Sequence, residues 1–217
     1  MSKDVIICIG TIDSPTFKKC HKIIIDNFKD NKKVLKISII KNKKPRNEWL
    51  NEMIKESIDS GAKWCLQVDE DMYLYNNALD ELYNFAISSD KKVLNASCLL
   101  NDLFLNSKIG SLKLWNVEAL RFANFKDVLG SDRQYAKDLG QFGFENIAIN
   151  KVLADHDSAP TPEIAYKKYY EYIEKIYKFN GKNDAASFLK FLEKKSFNEI
   201  GAAAYNGALN KMNWMTK

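Results

Sequence analysis

The chain has 217 residues, of which 46% are hydrophobic and 12% aromatic, and its net charge at pH 7 is +5. This composition excludes a largely disordered chain, because such chains bury too little apolar surface to offset their ordering entropy. The small basic excess would suit an anionic partner but does not require nucleic acid. No stretch approaches 18 consecutive apolar residues and no signal peptide is recognisable, so we expect a cytoplasmic protein without a transmembrane segment.

The first half of the chain alternates predicted strands with predicted helices. Strands are predicted at 4–10, 33–42 and 63–68, and the first of them, "DVIICIG", is a continuous β-branched run typical of a strand buried on both faces. Each predicted strand is followed by an amphipathic helix; Ser14 and Pro15 are placed to open the first helix, and Gly61 to end the second. This order predicts an α/β domain with a mostly parallel, Rossmann-type sheet covered by helices on both faces.

The second half of the sheet region is less regular. We predict strands at 92–100, 111–115 and 146–157, with a polar loop after the first of them and a helix around 131–143. Beyond Pro160 and Pro162 the chain becomes rich in Tyr and Lys with helical spacing. We therefore expect a catalytic or binding domain at 1–158 and a helical extension at 159–217 that packs on it.

The third predicted strand ends in three acidic residues, within "KWCLQVDEDMYLYNNALDEL" at 63–82. In open parallel sheets, ligands bind at the carboxyl ends of the strands. In extended chain Asp69 and Asp71 project to one side and Glu70 to the other. Two close carboxylates repel unless a cation lies between them, and oxygen ligands suit Mg²⁺ or Mn²⁺ that also bind substrate phosphates. The pattern predicts a metal and diphosphate site; alternatively, the acids only end a strand and favour the next helix electrostatically.

Four segments together resemble the GT-A fold nucleotide-sugar glycosyltransferases, in particular the family-2-like group that contains a D-x-D motif. The segments are "GTIDS" after the first strand, "RN" at the start of the second helix, "DED", and the late "DHD" at 155–157. The resemblance covers about residues 4–157 and is strongest at 63–82. It implies a GT-A-like fold and transfer of a sugar from a nucleoside-diphosphate sugar, with a UDP-sugar favoured, to a hydroxyl group. It also implies Mn²⁺ or Mg²⁺ as cofactor.

The resemblance further implies roles for individual residues. Asp71 would bind the metal directly, while Asp69 would contact the donor ribose or the metal through water. The donor would be held by residues from three further segments: Thr11 and Asp13 at its base and ribose, Arg46 and Asn47 along the nucleotide, and Gly110 and Ser111 at the sugar. A plain loop is the alternative for Gly110 and Ser111, and Trp115 nearby could be a core residue or a stacking platform.

His156 and Asp132 complete the predicted site. A late histidine in this family completes the metal shell, which is reasonable because a neutral imidazole adds a ligand without adding charge; a surface histidine in a polar turn is the alternative. "GSDRQYAKDLGQFGF" at 130–144 resembles the family's acidic motif followed by a helix and a glycine, but Ser131 stands where the first acid is expected. If the enzyme inverts, Asp132 is the candidate base; otherwise it is a helix N-cap.

Other functions compete with this interpretation. A sugar-phosphate nucleotidyltransferase would need a Gly-rich basic loop after the first strand, which "GTIDSPTF" does not provide. A non-catalytic nucleic-acid-binding domain would fit the net charge and the segment "YKKYYEYIEKIYKF" at 166–179, although its tyrosines have the spacing of a packed helix. A glycosyltransferase acting on modified bases in DNA would combine both ideas. The acceptor could equally be a glycan, a lipid-linked sugar or a protein.

Overall fold

The computed structural model describes residues 3–128 and 130–216, and the chain divides into two compact units between Asp157 and Ser158. The first unit is α/β and the second is helical. The described strands, all in the first unit, are β1 Val5–Thr11, β2 Val34–Lys41, β3 Trp64–Asp69, β4 Met72–Leu74, β5 Val93–Asp102, β6 Ser107–Asn116 and β7 Glu145–His156.

The helices of the first unit lie between these strands, and those of the second unit follow one another directly. In the first unit they are α1 Phe17–Phe28, α2 Arg46–Asp59, α3 Ala78–Ile87, α4 Val117–Leu120 and α5 Ser131–Gly140. In the second unit they are α6 Pro162–Asn180, α7 Lys182–Glu193 and α8 Glu199–Met215.

Over the described residues, seven strands form one sheet in the order β2-β1-β3-β6-β5-β7-β4. β1 is parallel to both β2 and β3, and β5 is parallel to β7. β6 is antiparallel to β3 and β5, and β4 is antiparallel to β7. Five strands therefore run in one direction and two in the other. The predicted α/β class, with a mostly parallel sheet and a helical extension, is confirmed.

The alternation of side chains along β1 explains why helices cover both faces of the sheet. Val5, Ile7 and Ile9 belong to one core cluster, together with buried residues of α1 and α3. Ile6 and Cys8 belong to the other, together with buried residues of α2, α4 and α5. Each of these five β1 side chains is 0% exposed. A continuous apolar run is therefore what a central strand between two helical layers requires.

Three local predictions differ from the structure. α1 begins at Phe17 with Thr16 as its N-cap, later than Ser14 and Pro15 suggested. The predicted polar loop after residue 100 is mostly strand, since β5 continues to Asp102 and β6 already begins at Ser107. The three-residue strand β4 was not predicted, because three residues are too few to show a periodicity.

The second unit is a set of three helices, and two of them have an N-cap side chain that accepts a backbone hydrogen bond. Thr161 caps α6, and its Oγ1 accepts a hydrogen bond from the backbone N–H of Ile164 at 3.4 Å. Asn198 caps α8 by accepting from the N–H of Gly201 at 2.8 Å. Tyr169 and Ile173 of α6 are buried, as their helical spacing predicts.

Candidate functional site

The polar residues of interest lie where strands of common direction end. β1, β3, β5 and β7 run the same way, and their last residues are Thr11, Asp69, Asp102 and His156. The carboxyl ends of such strands share one edge of the sheet, which is where α/β proteins bind ligands. A hydroxyl, two carboxylates and an imidazole are therefore brought to one edge by topology alone.

Asp69 contacts the first residue of α2. Its Oδ2 lies 3.1 Å from Nη2 of Arg46, whose side chain is 61% exposed. The charge of Asp69 is the main cause of the raised pKa of Arg46, and the charges of Asp132 and Asp71 raise it further. These three carboxylates therefore lie within electrostatic reach of one guanidinium group.

Asp71 contacts the end of β7. Its Oδ2 lies 3.2 Å from Nε2 of His156, and the other ring nitrogen, Nδ1, lies 2.8 Å from Oδ2 of Asp102. The side chain of Asp102 is 1% exposed and that of His156 is 10% exposed. The imidazole is thus held between two carboxylates, one buried and one at the edge of the sheet.

The short strand β4 explains how this contact forms. Met72 pairs with His156 in the antiparallel ladder, and the backbone N–H of Asp157 donates to the carbonyl of Asp71 at 2.8 Å. Tyr73 donates its hydroxyl proton to Asp157 at 2.9 Å. The pairing of β4 with β7 therefore places the D-x-D motif beside the late D-H-D segment.

The same turn changes the relation between the two aspartates. β3 ends at Asp69, and residues 70–71 form a turn before β4. Asp69 and Asp71 are therefore not joined by extended chain, which the predicted shared face assumed. Asp69 pairs with Arg46, and Asp71 with His156. Sequence position alone had suggested one pair of carboxylates, but the structure gives each carboxylate its own partner.

Glu70 fixes the loop between β1 and α1. Its carboxylate accepts hydrogen bonds from the hydroxyl of Thr11 and from the backbone N–H groups of Ile12, at 3.3 Å, and Ser14, at 3.0 Å. The Thr11 hydroxyl in turn accepts from the N–H of Asp13 at 2.8 Å. The middle acid of the motif therefore organises the loop that carries two predicted donor-binding residues.

Asp13 lies in this loop, and Asn47, another predicted donor-binding residue, lies at the start of α2. Asp13 has a positive φ of 59° and its Oδ1 lies 3.2 Å from Nζ of Lys41. Asn47 is in the first turn of α2, and its Oδ1 is buried without a hydrogen-bond partner in the part of the chain that the structure describes. A buried amide oxygen of this kind is costly unless a donor reaches it.

Asp132 lies in the first turn of α5, whose N-cap is Gly130. Its Oδ2 is 2.7 Å from Nζ of Lys113 on β6. Burial acts to raise the pKa of Asp132, but the charge and hydrogen bond of Lys113, a backbone N–H and the charge of Arg46 outweigh burial, so the pKa is lowered. Asp132 is thus a carboxylate paired with a lysine, and it is not the N-cap.

Gly110 and Ser111 lie within β6, not in a loop. Gly110 faces Leu99 of β5 across the antiparallel pair, and a Cβ built on Gly110 would meet open space. Trp115 on the same strand is 1% exposed, and its Nε1 donates to Gln67 at 2.9 Å. Trp115 is therefore a core residue.

Burial and the acidic motif act together on a nearby thiol. Burial, followed by the charges of Asp71, Asp69 and Glu70, raises the pKa of Cys20 to about 12. Burial and these three carboxylates thus keep the thiol of Cys20 in its neutral form. Within residues 3–128 and 130–216, however, no three His, Cys, Asp or Glu side chains are already arranged as a complete metal cluster.

Three contributors to this site were not predicted from the sequence: Asp102, Lys113 and the loop-organising role of Glu70. Asp102 had a detectable signal, since it is an acid two residues after an apolar run, at a strand's carboxyl end. The predicted strand stopped at residue 100, two residues short. No sequence feature pointed to Lys113, because its role depends on a contact between β6 and α5. The spacing of residues along the chain does not show such a contact.

Comparisons with known proteins identify the fold. No protein-family model and no curated protein sequence matches the chain. Among solved structures, the mannosyltransferase PcManGT from Pyrobaculum calidifontis, in complex with GDP-Man and Mn²⁺, is similar to it with a TM-score of 0.62 and 12% identity. That similarity covers 100% of this chain and 89% of the mannosyltransferase.

Two more structures share the architecture. Glucosyl-3-phosphoglycerate synthase from Mycobacterium tuberculosis, in complex with Mg²⁺ and UDP, has a TM-score of 0.58 and 8% identity over 81% of this chain and 79% of its own. TarS 1–349 from S. aureus, in complex with UDP, has a TM-score of 0.53 and 12% identity over 88% of this chain and 70% of its own. Across the described helices, none is long and apolar enough to cross a membrane. The similarity to these three solved structures shows that the chain has the GT-A fold of nucleotide-sugar glycosyltransferases.

Proposed function

We propose that the protein is a metal-dependent glycosyltransferase that moves a sugar from a nucleoside-diphosphate sugar to a hydroxyl acceptor. The observation that carries this proposal is the 3.2 Å approach of Asp71 Oδ2 and His156 Nε2 at the carboxyl edge of the GT-A sheet. A carboxylate oxygen and an imidazole nitrogen at this edge are two donors for a divalent cation. The mannosyltransferase and the synthase with the same fold were solved with Mn²⁺ or Mg²⁺ and a nucleotide.

The donor set fits Mn²⁺ or Mg²⁺. Asp71 supplies a hard oxygen, and His156 supplies a nitrogen that Mn²⁺ accepts readily. Two protein ligands leave room for water and for phosphate oxygens, as is usual for Mg²⁺ sites that bind substrate phosphates. When bound, the cation supplies positive charge that stabilises the leaving diphosphate. Asp69 is held by Arg46 and would reach the metal or the ribose through water.

The other residues of this edge would hold the donor. The side chain of Arg46 is 61% exposed while it is paired with Asp69, so its remaining N–H groups can also face a phosphate oxygen. The buried Oδ1 of Asn47 needs a hydrogen-bond donor, which a ribose hydroxyl would supply. Thr11 and Asp13 lie in the loop fixed by Glu70, where a rigid backbone would place them at the base and ribose. A UDP-sugar is the favoured donor.

Gly110 and Ser111 would line the sugar. The open space beside Gly110 is compatible with a ligand group close to the strand. Any larger residue at 110 would project into that space.

Asp132 is our candidate for the base that takes the acceptor proton. Its lowered pKa keeps it ionised at neutral pH, the form that can accept a proton. A carboxylate has lone pairs beyond the one that Lys113 occupies. The same lowered pKa reduces the driving force for proton transfer, so Asp132 would take the proton late, when bonding of the acceptor oxygen to the anomeric carbon has made the hydroxyl proton acidic.

Isothermal titration calorimetry tests the donor and metal part of this proposal directly. UDP and GDP are each titrated with and without Mn²⁺, into wild-type protein, Asp71→Ala and Asp26→Ala. Asp26 is an exposed aspartate of α1 paired with Lys22, so it is a matched control. We expect Mn²⁺-dependent binding of a nucleoside diphosphate to wild type and Asp26→Ala, and loss of the Mn²⁺ dependence in Asp71→Ala. Absence of nucleoside-diphosphate binding both with and without Mn²⁺ would contradict the proposal. If the protein then bound nucleic acid equally well as wild type and as Asp71→Ala, the non-catalytic nucleic-acid-binding domain would be favoured.

A further inference from the structure

Asp102 is the most buried acid of the edge and has two distinct partners. It ends β5, it is 1% exposed, and its Oδ2 lies 2.8 Å from His156 Nδ1. Its other oxygen, Oδ1, accepts a hydrogen bond from the backbone N–H of Leu105 at 2.7 Å. Each oxygen of this carboxylate therefore has a partner of its own, and the carboxylate orientation is set from two directions.

This orientation determines where a neutral His156 carries its proton. A neutral imidazole has one N–H and one lone pair, and an ionised carboxylate can only accept. Both ring nitrogens face a carboxylate, but Nδ1 is the closer, at 2.8 Å from the 1% exposed Asp102, whereas Nε2 is 3.2 Å from the more exposed Asp71. The shorter and more buried contact assigns the N–H of the neutral ring to Nδ1. The lone pair is left on Nε2, the nitrogen that faces Asp71 at 3.2 Å.

We propose that Asp102 is a positioning residue that fixes the Nδ1–H tautomer of His156 and so presents the Nε2 lone pair to a cation beside Asp71. Partners of this kind orient metal-binding histidines and raise their basicity in many metal sites. The metal part of this inference rests on the proposed function. The tautomer part rests only on the geometry of Asp102 and His156.

The substitution Asp102→Asn separates this role from a structural one. An asparagine has nearly the same shape, and its carbonyl oxygen can still accept from the Leu105 N–H. Its amide NH₂ would then face His156 Nδ1 and donate to it. The substitution should therefore move the imidazole proton to Nε2 while the turn after β5 is retained, and Nε2 must then give up that proton before it can bind a metal.

The first test is ¹⁵N NMR of histidine side chains in metal-free protein. The chain has two histidines, and the other, His21, stacks on Phe17 with ring centroids 5.6 Å apart, so the variant His21→Gln assigns the spectrum. For the neutral ring of His156 we expect the Nδ1–H tautomer in wild type and the Nε2–H tautomer in Asp102→Asn. An Nε2–H tautomer in the wild type would overturn the inference, even if the variant failed to fold.

The second test measures Mn²⁺ affinity by electron paramagnetic resonance, without nucleotide. Asp102→Asn should weaken Mn²⁺ binding about 10- to 100-fold, and His21→Gln should leave it unchanged. Equal Mn²⁺ affinity in Asp102→Asn and wild type would overturn the role of Asp102. If the tautomer is as expected but wild type binds no Mn²⁺, the proposed function fails while the positioning of His156 by Asp102 stands.

Discussion

Glu70 accepts a hydrogen bond from the hydroxyl of Thr11, and this contact joins the acidic motif to the loop after β1. Two backbone N–H groups of that loop bond the same carboxylate. Glu70 is thus the acid of the motif that does not face the proposed metal. Its charge is instead used to order the segment that carries Thr11 and Asp13.

Replacing Glu70 by Gln should therefore weaken nucleotide binding more than metal binding. The amide keeps the shape but loses the charge-assisted hydrogen bonds, each of which is stronger than a neutral one. We expect nucleoside-diphosphate affinity measured by calorimetry to fall about tenfold, or about 1.4 kcal/mol, with Mn²⁺ affinity changed less than about twofold on the same scale. The exposed Glu171→Gln in α6 is the control. A larger loss of Mn²⁺ affinity than of nucleotide affinity would show that Glu70 belongs to the metal site.

The indole ring of Trp49 lies against Gly10 near the end of β1 and leaves no room for a side chain at position 10. A Cβ on Gly10 would lie 2.9 Å from the indole ring of Trp49, which is 8% exposed on α2. Gly10→Ala should lower the free energy of unfolding by about 1–3 kcal/mol, as overpacking does. Urea denaturation measures this loss. In a Trp49→Leu background the same substitution should cost less, because the ring that it meets has gone; an equal cost in both backgrounds would contradict the contact.

The ion pair of Asp132 with Lys113 should make a pH-dependent contribution to stability. The folded-state pKa of Asp132 is lowered, so its contribution is present above the unfolded value of about 3.9 and disappears as the pH falls through the folded value. The stability of wild type should therefore exceed that of Asp132→Asn near pH 7, and the difference should shrink below about pH 4. Urea denaturation at several pH values measures it. If the difference in the free energy of unfolding between wild type and Asp132→Asn stays constant down to the lowest pH, the ionised carboxylate of Asp132 does not stabilise the fold.

Gly207 allows α8 to approach α6 within the second unit. A Cβ there would lie 2.2 Å from the backbone carbonyl oxygen of Tyr166. Helix propensity alone would favour Ala over Gly by about 1 kcal/mol, but the clash is with backbone and cannot be relieved by a side-chain rotation. We expect Gly207→Ala to lower the thermal unfolding midpoint. Gly140→Ala in α5, where a Cβ meets open space, should leave it unchanged or raise it; stabilisation by both substitutions would refute the close approach.

The fold could be predicted from the sequence because burial leaves a direct pattern. The run "DVIICIG" places side chains in two cores by simple alternation, and Gly61, which follows α2, has the positive φ of 73° expected of a helix-ending glycine. The D-x-D motif was visible because its three acids directly follow an apolar run and an amphipathic helix comes after them. An apolar run, a helix-ending glycine and an acidic cluster each involve neighbouring residues, so they can be recognised in the sequence.

The relations among site residues could not be predicted in the same way, because they depend on strand pairing between distant segments. The approach of Asp71 to His156 requires the three-residue strand β4, and the pairing of Asp132 with Lys113 requires β6 to lie beside α5. The prediction that Asp69 and Asp71 share a face assumed an extended chain where the structure has a turn. Geometry that depends on a turn or on long-range pairing is not encoded by spacing.

Metal-dependent release of nucleoside diphosphate is the measurement that tests the central proposal most directly. Wild type, Asp71→Asn and the control Asp26→Asn are incubated with a panel of nucleotide sugars and Mn²⁺, and the released diphosphate is quantified. We predict slow release by wild type and Asp26→Asn from at least one donor, abolished by chelation, and about 10²- to 10³-fold slower release by Asp71→Asn. Release that is equal in Asp71→Asn and wild type, or that persists without metal, would contradict the assignment of Asp71 and His156 as a metal and diphosphate site.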